Sequence, residues 1–181
     1  MASILGVSHA AISKWENGHS KPSKRMALRL ADVMSELHKS RLRAELVYTA
    51  PQQQMKVLTR GRNLQLFAVS AGFAKAWPET AAFAEKELKP FLINEALQYV
   101  ENSGFLEEAI HGELLALSCV SNRLLMVGGD VSESARLRWH SIVRQIDGEL
   151  IHEVVFEPCH ENSPVGFDYV LRRSDVGANY E

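Results

Sequence analysis

Apolar residues near the start of the chain recur at three- and four-residue steps, the spacing that lines up one face of a helix. The first such segment is short, from Ser8 to Asn17. Ser8 stands where a side-chain oxygen can accept an exposed backbone N–H. Val7 and Ile12 occupy the two positions of a hydrophobic staple around that cap. Gly18 follows as a left-handed terminator. Asn17-Gly18 would mark a hairpin between alternating strands, but no alternation flanks it, so the helix reading is preferred. Ser23 then caps a second, longer helix. Met26, Ala27, Leu30, Val33, Met34 and Leu37 form its apolar stripe, and Lys24, Arg25, Arg29, Asp32 and Glu36 its wetter side. Leu42 and Leu46 extend the pattern to about Val47, and Pro51 with Gln52, Gln53 and Gln54 ends it.

From Asn63 the period changes. Leu64–Val69 alternates in part like a strand, residues 80–100 are helical in composition with a break at Pro90, and Gly104 precedes a short helical stretch over Phe105–Leu115. Leu115–Val120 and Leu124–Val127 are apolar runs separated by Ser121-Asn122-Arg123. Ser141–Ile146, Asp147-Gly148 and Glu149–Phe156 carry the pattern and turn residues of a hairpin. Phe167, Tyr169 and Leu171 alternate with Asp168, Val170 and Arg172, as in a half-buried strand. The expected fold class is α+β, a short all-α segment followed by an α+β domain with an antiparallel sheet. The expected boundaries are 1–48 for the helical segment, 49–62 for a linker, 63–174 for the α+β domain and 175–181 for a tail.

Composition narrows the picture. The 181 residues are 46% hydrophobic and 23% charged, an ordinary globular balance and not a disordered one. No apolar run is long enough to span a membrane, and the first residues lack the features of a signal peptide. Cys119 and Cys159 cannot build a disulfide framework or a metal knuckle, so a reducing, cytoplasmic setting is expected. Charge is unevenly placed: residues 1–43 hold eight Lys/Arg against three acids, a net +5, which leaves −7 on the rest of a chain whose total is −2. Only the first part is suited to meet a polyanion.

The segment from Leu5 to Ser23 resembles the lambda-repressor-like helix-turn-helix family, also called the xenobiotic-response-element type. The shared elements are Leu5-Gly6-Val7-Ser8, Ile12-Ser13, Trp15-Glu16, Gly18 and Pro22. Gly6 would allow the sharp turn between two helices, and Ile12 with Trp15 would anchor the second helix from behind. In this fold the N-terminal residues of that helix meet base edges in the major groove. The resemblance therefore places His9, Ala10, Ser13 and Lys14 near bases, and Asn17, His19, Lys21 and Lys24 near phosphates, which set register without reading sequence. His9 departs from the glutamine favoured there, Ala10 offers only a methyl contact to thymine, and Glu16 suits a structural hydrogen bond. The family's domain has a helix before the motif, whereas this chain starts four residues before Leu5. A truncated DNA-binding domain is thus expected. So is a competing role, a DNA-incompetent protein-interaction or small-molecule sensor module.

The element order from Leu64 to Tyr169 resembles a PAS-like sensor domain, which implies a receiver for a small-molecule effector or a platform for a homodimer. The combined expectation is a transcriptional regulator whose partner is double-stranded DNA, with no cofactor, no resident metal and no enzymatic activity. Three enzyme-like signals are set aside. His111-Gly112-Glu113 with Pro158-Cys159-His160-Glu161 is similar to the zinc deaminase pattern, but Asn162 stands where its second cysteine belongs. His140, His152 and His160 with Glu153 and Glu157 could bind a metal as in cupin barrels, but those barrels are nearly all strand. Ser132 and Ser134 have no triad context.

Overall fold

Two helices begin at the Ser8 and Ser23 caps, and from Lys56 onward strands alternate with short helices. The computed structural model describes residues 2–101, 104–122, 136–146 and 148–177. They group into two units, 1–43 and 44–181. The first contains α1 (Ala2–Leu5), α2 (His9–Glu16) and the start of α3 (Lys24–Thr49). The boundary falls inside α3, five residues before the 48/49 boundary expected from sequence. It coincides with the limit of the basic segment. Ala2 and Leu5 are buried in this unit, while Met26, Leu30 and Val33 are half-buried and Ala27 and Met34 exposed. The protected stripe of α3 is therefore narrower than the apolar periodicity suggests, and Leu28 is also exposed.

The second unit is a six-stranded sheet, all antiparallel, in the order β2-β1-β5-β4-β3-β6. Its strands are β1 (Lys56–Arg60), β2 (Gln65–Val69), β3 (Leu114–Ser121), β4 (Leu137–Ile146), β5 (Glu149–Pro158) and β6 (Gly166–Arg172). The expected antiparallel α+β class is what forms. The hairpin closes with Ile146 opposite Glu149 and runs on to pair Leu137 with Pro158. Between β2 and β3 lie α4 (Ala71–Ala76), α5 (Pro78–Ala81), α6 (Asn94–Glu101) and α7 (Phe105–Ile110). α8 (Arg173–Gly177) follows β6.

Four expectations are corrected. The linker over 49–62 contains β1, which pairs on both sides and lies inside the sheet. Its polar residues Lys56, Thr59 and Arg60 hid it from a hydrophobic pattern. The helical stretch over 80–100 is divided: after α5 the chain turns, bridges Glu87 to Gln65 and makes a 3-10 turn at Lys89–Phe91 before α6. The helix beginning at Phe105 stops at Ile110, before the left-handed turn at Gly112, and Leu115 already belongs to β3. The tail expected over 175–181 begins inside α8, where the Asp175 carboxylate accepts the Arg172 N–H at 2.8 Å. Leu124–Val127, Ser132, Ser134, Asp147 and the Leu37 side chain lie outside the described residues.

Strand alternation gives the sheet two different faces. One carries the core, with Val57, Leu66, Leu117, Trp139, Leu150 and Phe156 packed under Phe73, Leu92, Tyr99 and Leu106 from the helical segment. Phe73, Trp77 and Phe156 meet with ring centroids 5.0–5.6 Å apart, a favourable aromatic spacing. The opposite face holds a charge chain. Glu153 accepts from Lys56 Nζ at 2.5 Å and from Arg144 Nη2 at 2.6 Å. Arg144 Nη1 reaches Glu45 of α3 at 3.1 Å. Lys56 Nζ also stands 5.4 Å from the Tyr48 ring centroid, so the last two turns of α3 are tied to this face. The Lys56 side chain is only 5% exposed, and a buried ammonium needs its counter-charge.

The core face also buries His152, opposite Thr59 in the β1–β5 register. Tyr99 Oη lies 3.3 Å from His152 Nδ1. His152 Nε2 and Thr59 Oγ1 find no hydrogen-bond partner among the described residues, a cost of about 1–3 kcal/mol for each such group. Burial pushes the imidazole down from 6.5 to about 4, so the ring is neutral near pH 7.

Two outcomes follow from these contacts. Glu153→Ala strands the Lys56 charge and lowers unfolding free energy in urea by about 3–5 kcal/mol, whereas Lys56→Met combined with Glu153→Leu recovers most of that loss. Between pH 6.5 and 4 the unfolded chain takes up a proton on His152 that the folded protein refuses. Stability is unaffected by this residue above pH 6.5 and falls with pH below it, by about 3 kcal/mol at pH 4. His152→Gln removes that part of the pH dependence, as thermal unfolding across the window will register.

Candidate nucleic-acid interface

The eight residues of α2 are held by chemistry at both ends. At the N-terminus Ser8 has extended backbone, and its Oγ accepts the Ala11 N–H at 3.2 Å. A cap of this kind is worth about 1 kcal/mol. At the C-terminus the chain passes through Gly18 with φ +72°. The His19 N–H returns to the Lys14 carbonyl at 2.8 Å and the Gly18 N–H to the Trp15 carbonyl at 3.1 Å. This pair of bonds is the Schellman closure, and it requires a left-handed residue that only glycine adopts without cost. Gly6 performs the same service for α1: with φ +69°, it lets the Val7 N–H bond the Ala2 carbonyl at 3.1 Å.

Between those ends the helix divides by exposure. Ala11, Ile12 and Trp15 are half-buried, and His9, Ala10, Ser13, Lys14, Glu16 and Asn17 are exposed. The expected inner anchors are thus turned away from the outer face, although neither Ile12 nor Trp15 reaches full burial. The expected base-facing residues His9, Ala10, Ser13 and Lys14 come together on that outer face at helical spacing. His19 and Lys21 are exposed in the following turn, and Lys24, also exposed, opens α3. The Ser23 hydroxyl caps α3 by accepting the Met26 N–H at 3.3 Å.

Asn17 is the exception. Its side-chain amide donates to the Ser13 carbonyl at 2.9 Å and lies 3.3 Å from Ser13 Oγ. Those hydrogens help close the helix end and steady Ser13, while Asn17 itself stays exposed. A polar side chain four residues beyond a serine at a helix end was the available signal.

The histidines and cysteines of the second unit are dispersed. His111 Nδ1 lies 2.9 Å from the Glu107 carbonyl, and His160 Nδ1 accepts the Asn162 N–H at 3.1 Å. His140 and His152 sit on neighbouring strands but on opposite faces of the sheet, because the register sets Val155, not His152, against His140. Glu153 is engaged by Lys56 and Arg144. Burial pushes the Cys119 thiol up to about 12. No group of three His, Cys, Asp or Glu among the described residues is arranged to hold a metal ion. No helix among them is long and apolar enough to cross a membrane.

No curated protein matches the chain. Residues 1–35, which span α1, α2 and the first half of α3, match the family model described as Helix-turn-helix.

Proposed function

We propose that this protein is a sequence-specific, DNA-binding transcriptional regulator. α2 docks in the major groove, where His9, Ala10, Ser13 and Lys14 meet base edges, while His19, Lys21 and Lys24 bind phosphates. The observation that carries the reading is the division of α2: a closed, capped helix with its large apolar residues turned inward and its short polar and basic residues turned out. The match of residues 1–35 to the helix-turn-helix model supports it. So does the +5 charge of residues 1–43, since released counterions supply much of the affinity for a duplex.

The second unit acts as a receiver for a small-molecule effector and joins two copies. The helical segment between the first hairpin and the later antiparallel strands suits the PAS-like order expected from sequence. Leu46, Val47 and Tyr48 of α3 are exposed apolar side chains that a second copy would cover. The free thiols Cys119 and Cys159 suit a reducing cytoplasm. The competing reading, an interaction or sensor module that does not bind DNA, draws on one observation: no residue of α2 is fully buried.

Selection from a random-sequence duplex pool separates the two. The regulator enriches paired, inverted half-sites about 34 Å apart, and the module enriches nothing. On the selected site, Ser13→Ala with Lys14→Ala lowers the preference over random DNA by about 10- to 100-fold. Lys21→Ala weakens both alike and reduces the slope of log affinity against log salt by about 1. Equal losses on both duplexes from the first variant would remove Ser13 and Lys14 as base readers.

A further inference from the structure

A cavity of about 80 Å³ lies between the core face of the sheet and the helical segment of the second unit. One water needs only about 10–15 Å³, so a molecule of several heavy atoms fits. Most of the wall is hydrocarbon, with Leu64, Leu88, Leu92, Ala96, Val154 and Phe156 contributing. No lining residue bears a full charge near neutral pH, since burial keeps the His152 imidazole neutral. An ion brought into such a wall would lose its hydration without compensation.

Against this apolar wall stand two polar atoms. Thr59 and His152 both line the cavity, face each other across the β1–β5 ladder, and are 3% and 1% exposed. Thr59 Oγ1 and His152 Nε2 have no hydrogen-bond partner among the described residues. The other imidazole nitrogen is fixed by Tyr99, whose ring stands edge-on with centroids 5.5 Å apart. The imidazole therefore cannot turn Nε2 elsewhere without losing Tyr99. Two unpaired atoms on register partners at one cavity wall ask for a shared partner.

We infer that this cavity binds a small neutral molecule, a ring or compact branched hydrocarbon bearing one hydroxyl or carbonyl oxygen, whose oxygen bonds Thr59 Oγ1 and His152 Nε2. A hydroxyl suits both tautomers of the imidazole because it donates and accepts. Thr59 supplies whichever role the imidazole leaves. The inference deepens the receiver role proposed above and rests on it only for the consequence in DNA binding; occupancy of the cavity is read without DNA.

Phenol and toluene are close in shape and differ in the hydroxyl, so they serve as probes on the full chain. In ¹H–¹⁵N spectra, phenol is expected to shift amides of β1, β5 and α6 and to bind about tenfold more tightly than toluene. Thr59→Val keeps the side-chain shape and strand preference, and reduces that ratio to about two- to threefold. Ala96→Leu fills the cavity and abolishes both. Circular dichroism checks each variant for folding. Equal affinity for the two probes, a ratio unchanged by Thr59→Val, or no shift at millimolar phenol would overturn the inference and leave DNA binding untouched. Phenol binding that leaves affinity for the selected duplex unchanged would retain the site and end the receiver role.

Discussion

An isolated helix of eight residues is far below the length that holds itself together in water, where about 12–15 residues are needed even for favourable sequences. α2 therefore exists only because its loose ends are closed and its inner side is held. The Ser8 hydroxyl takes one orphan N–H, the Gly18 turn returns two more N–H groups to orphan carbonyls, and Asn17 adds its amide. Each contributes about as much as one helix cap, and apart from the Asn17 contact to Ser13 Oγ these bonds use no side chain of the exposed face. That leaves His9, Ala10 and Lys14 available for another molecule, with Ser13 steadied by Asn17.

The second unit solves a different problem. Its sheet is covered on one face by short helices and bound on the other to the last turns of α3 through charge. Glu153 stands between Lys56 and Arg144, and Arg144 continues to Glu45, so three strands and a helix share one electrostatic network. Buried ion pairs of this kind add little net stability but make the wrong arrangement costly. On the core face the aromatic cluster of Phe73, Trp77 and Phe156 does the packing. Beside it His152 is kept neutral by burial and anchored to Tyr99. The last turns of α3 thus meet one face through charge, and α6 meets the other through its apolar side and the Tyr99–His152 contact.

Much of this was legible in the residues. Caps at Ser8 and Ser23, the terminator at Gly18 and the hairpin around Gly148 are local signals, and they appear where the pattern placed them. β6 forms where expected but does not keep the expected alternation: the register shifts opposite Ser118 and Cys119, leaving Tyr169 exposed and packing Val170 with Phe167 against the core. What escaped depends on tertiary context. β1 reads as linker because Lys56 and Arg60 bound it and Thr59 interrupts it; only pairing on both sides makes it a strand. Residues 82–93 have helical composition, yet Glu87 bridges to Gln65 and Pro90 falls in a 3-10 turn. Sequence does not reveal that the exposed Asn17 amide donates to the Ser13 carbonyl. His152 stands among Leu150, Val154 and Phe156 in one strand, a place that marks a core residue, but the Tyr99 that anchors it comes from α6 and is invisible to local pattern.

The central claim is that the outer face of α2 meets base edges while Ile12 and Trp15 stay behind it. A ¹H–¹⁵N and side-chain titration of the full chain with the selected duplex and with a scrambled one tests this directly. The account predicts that Ala10, Ser13 and Lys14 shift with the selected duplex alone, that Lys21 and Lys24 shift with both, and that the Trp15 indole N–H keeps its inward environment. Resonances of Ser13 and Lys14 that stay fixed while DNA binds through the second unit would contradict it.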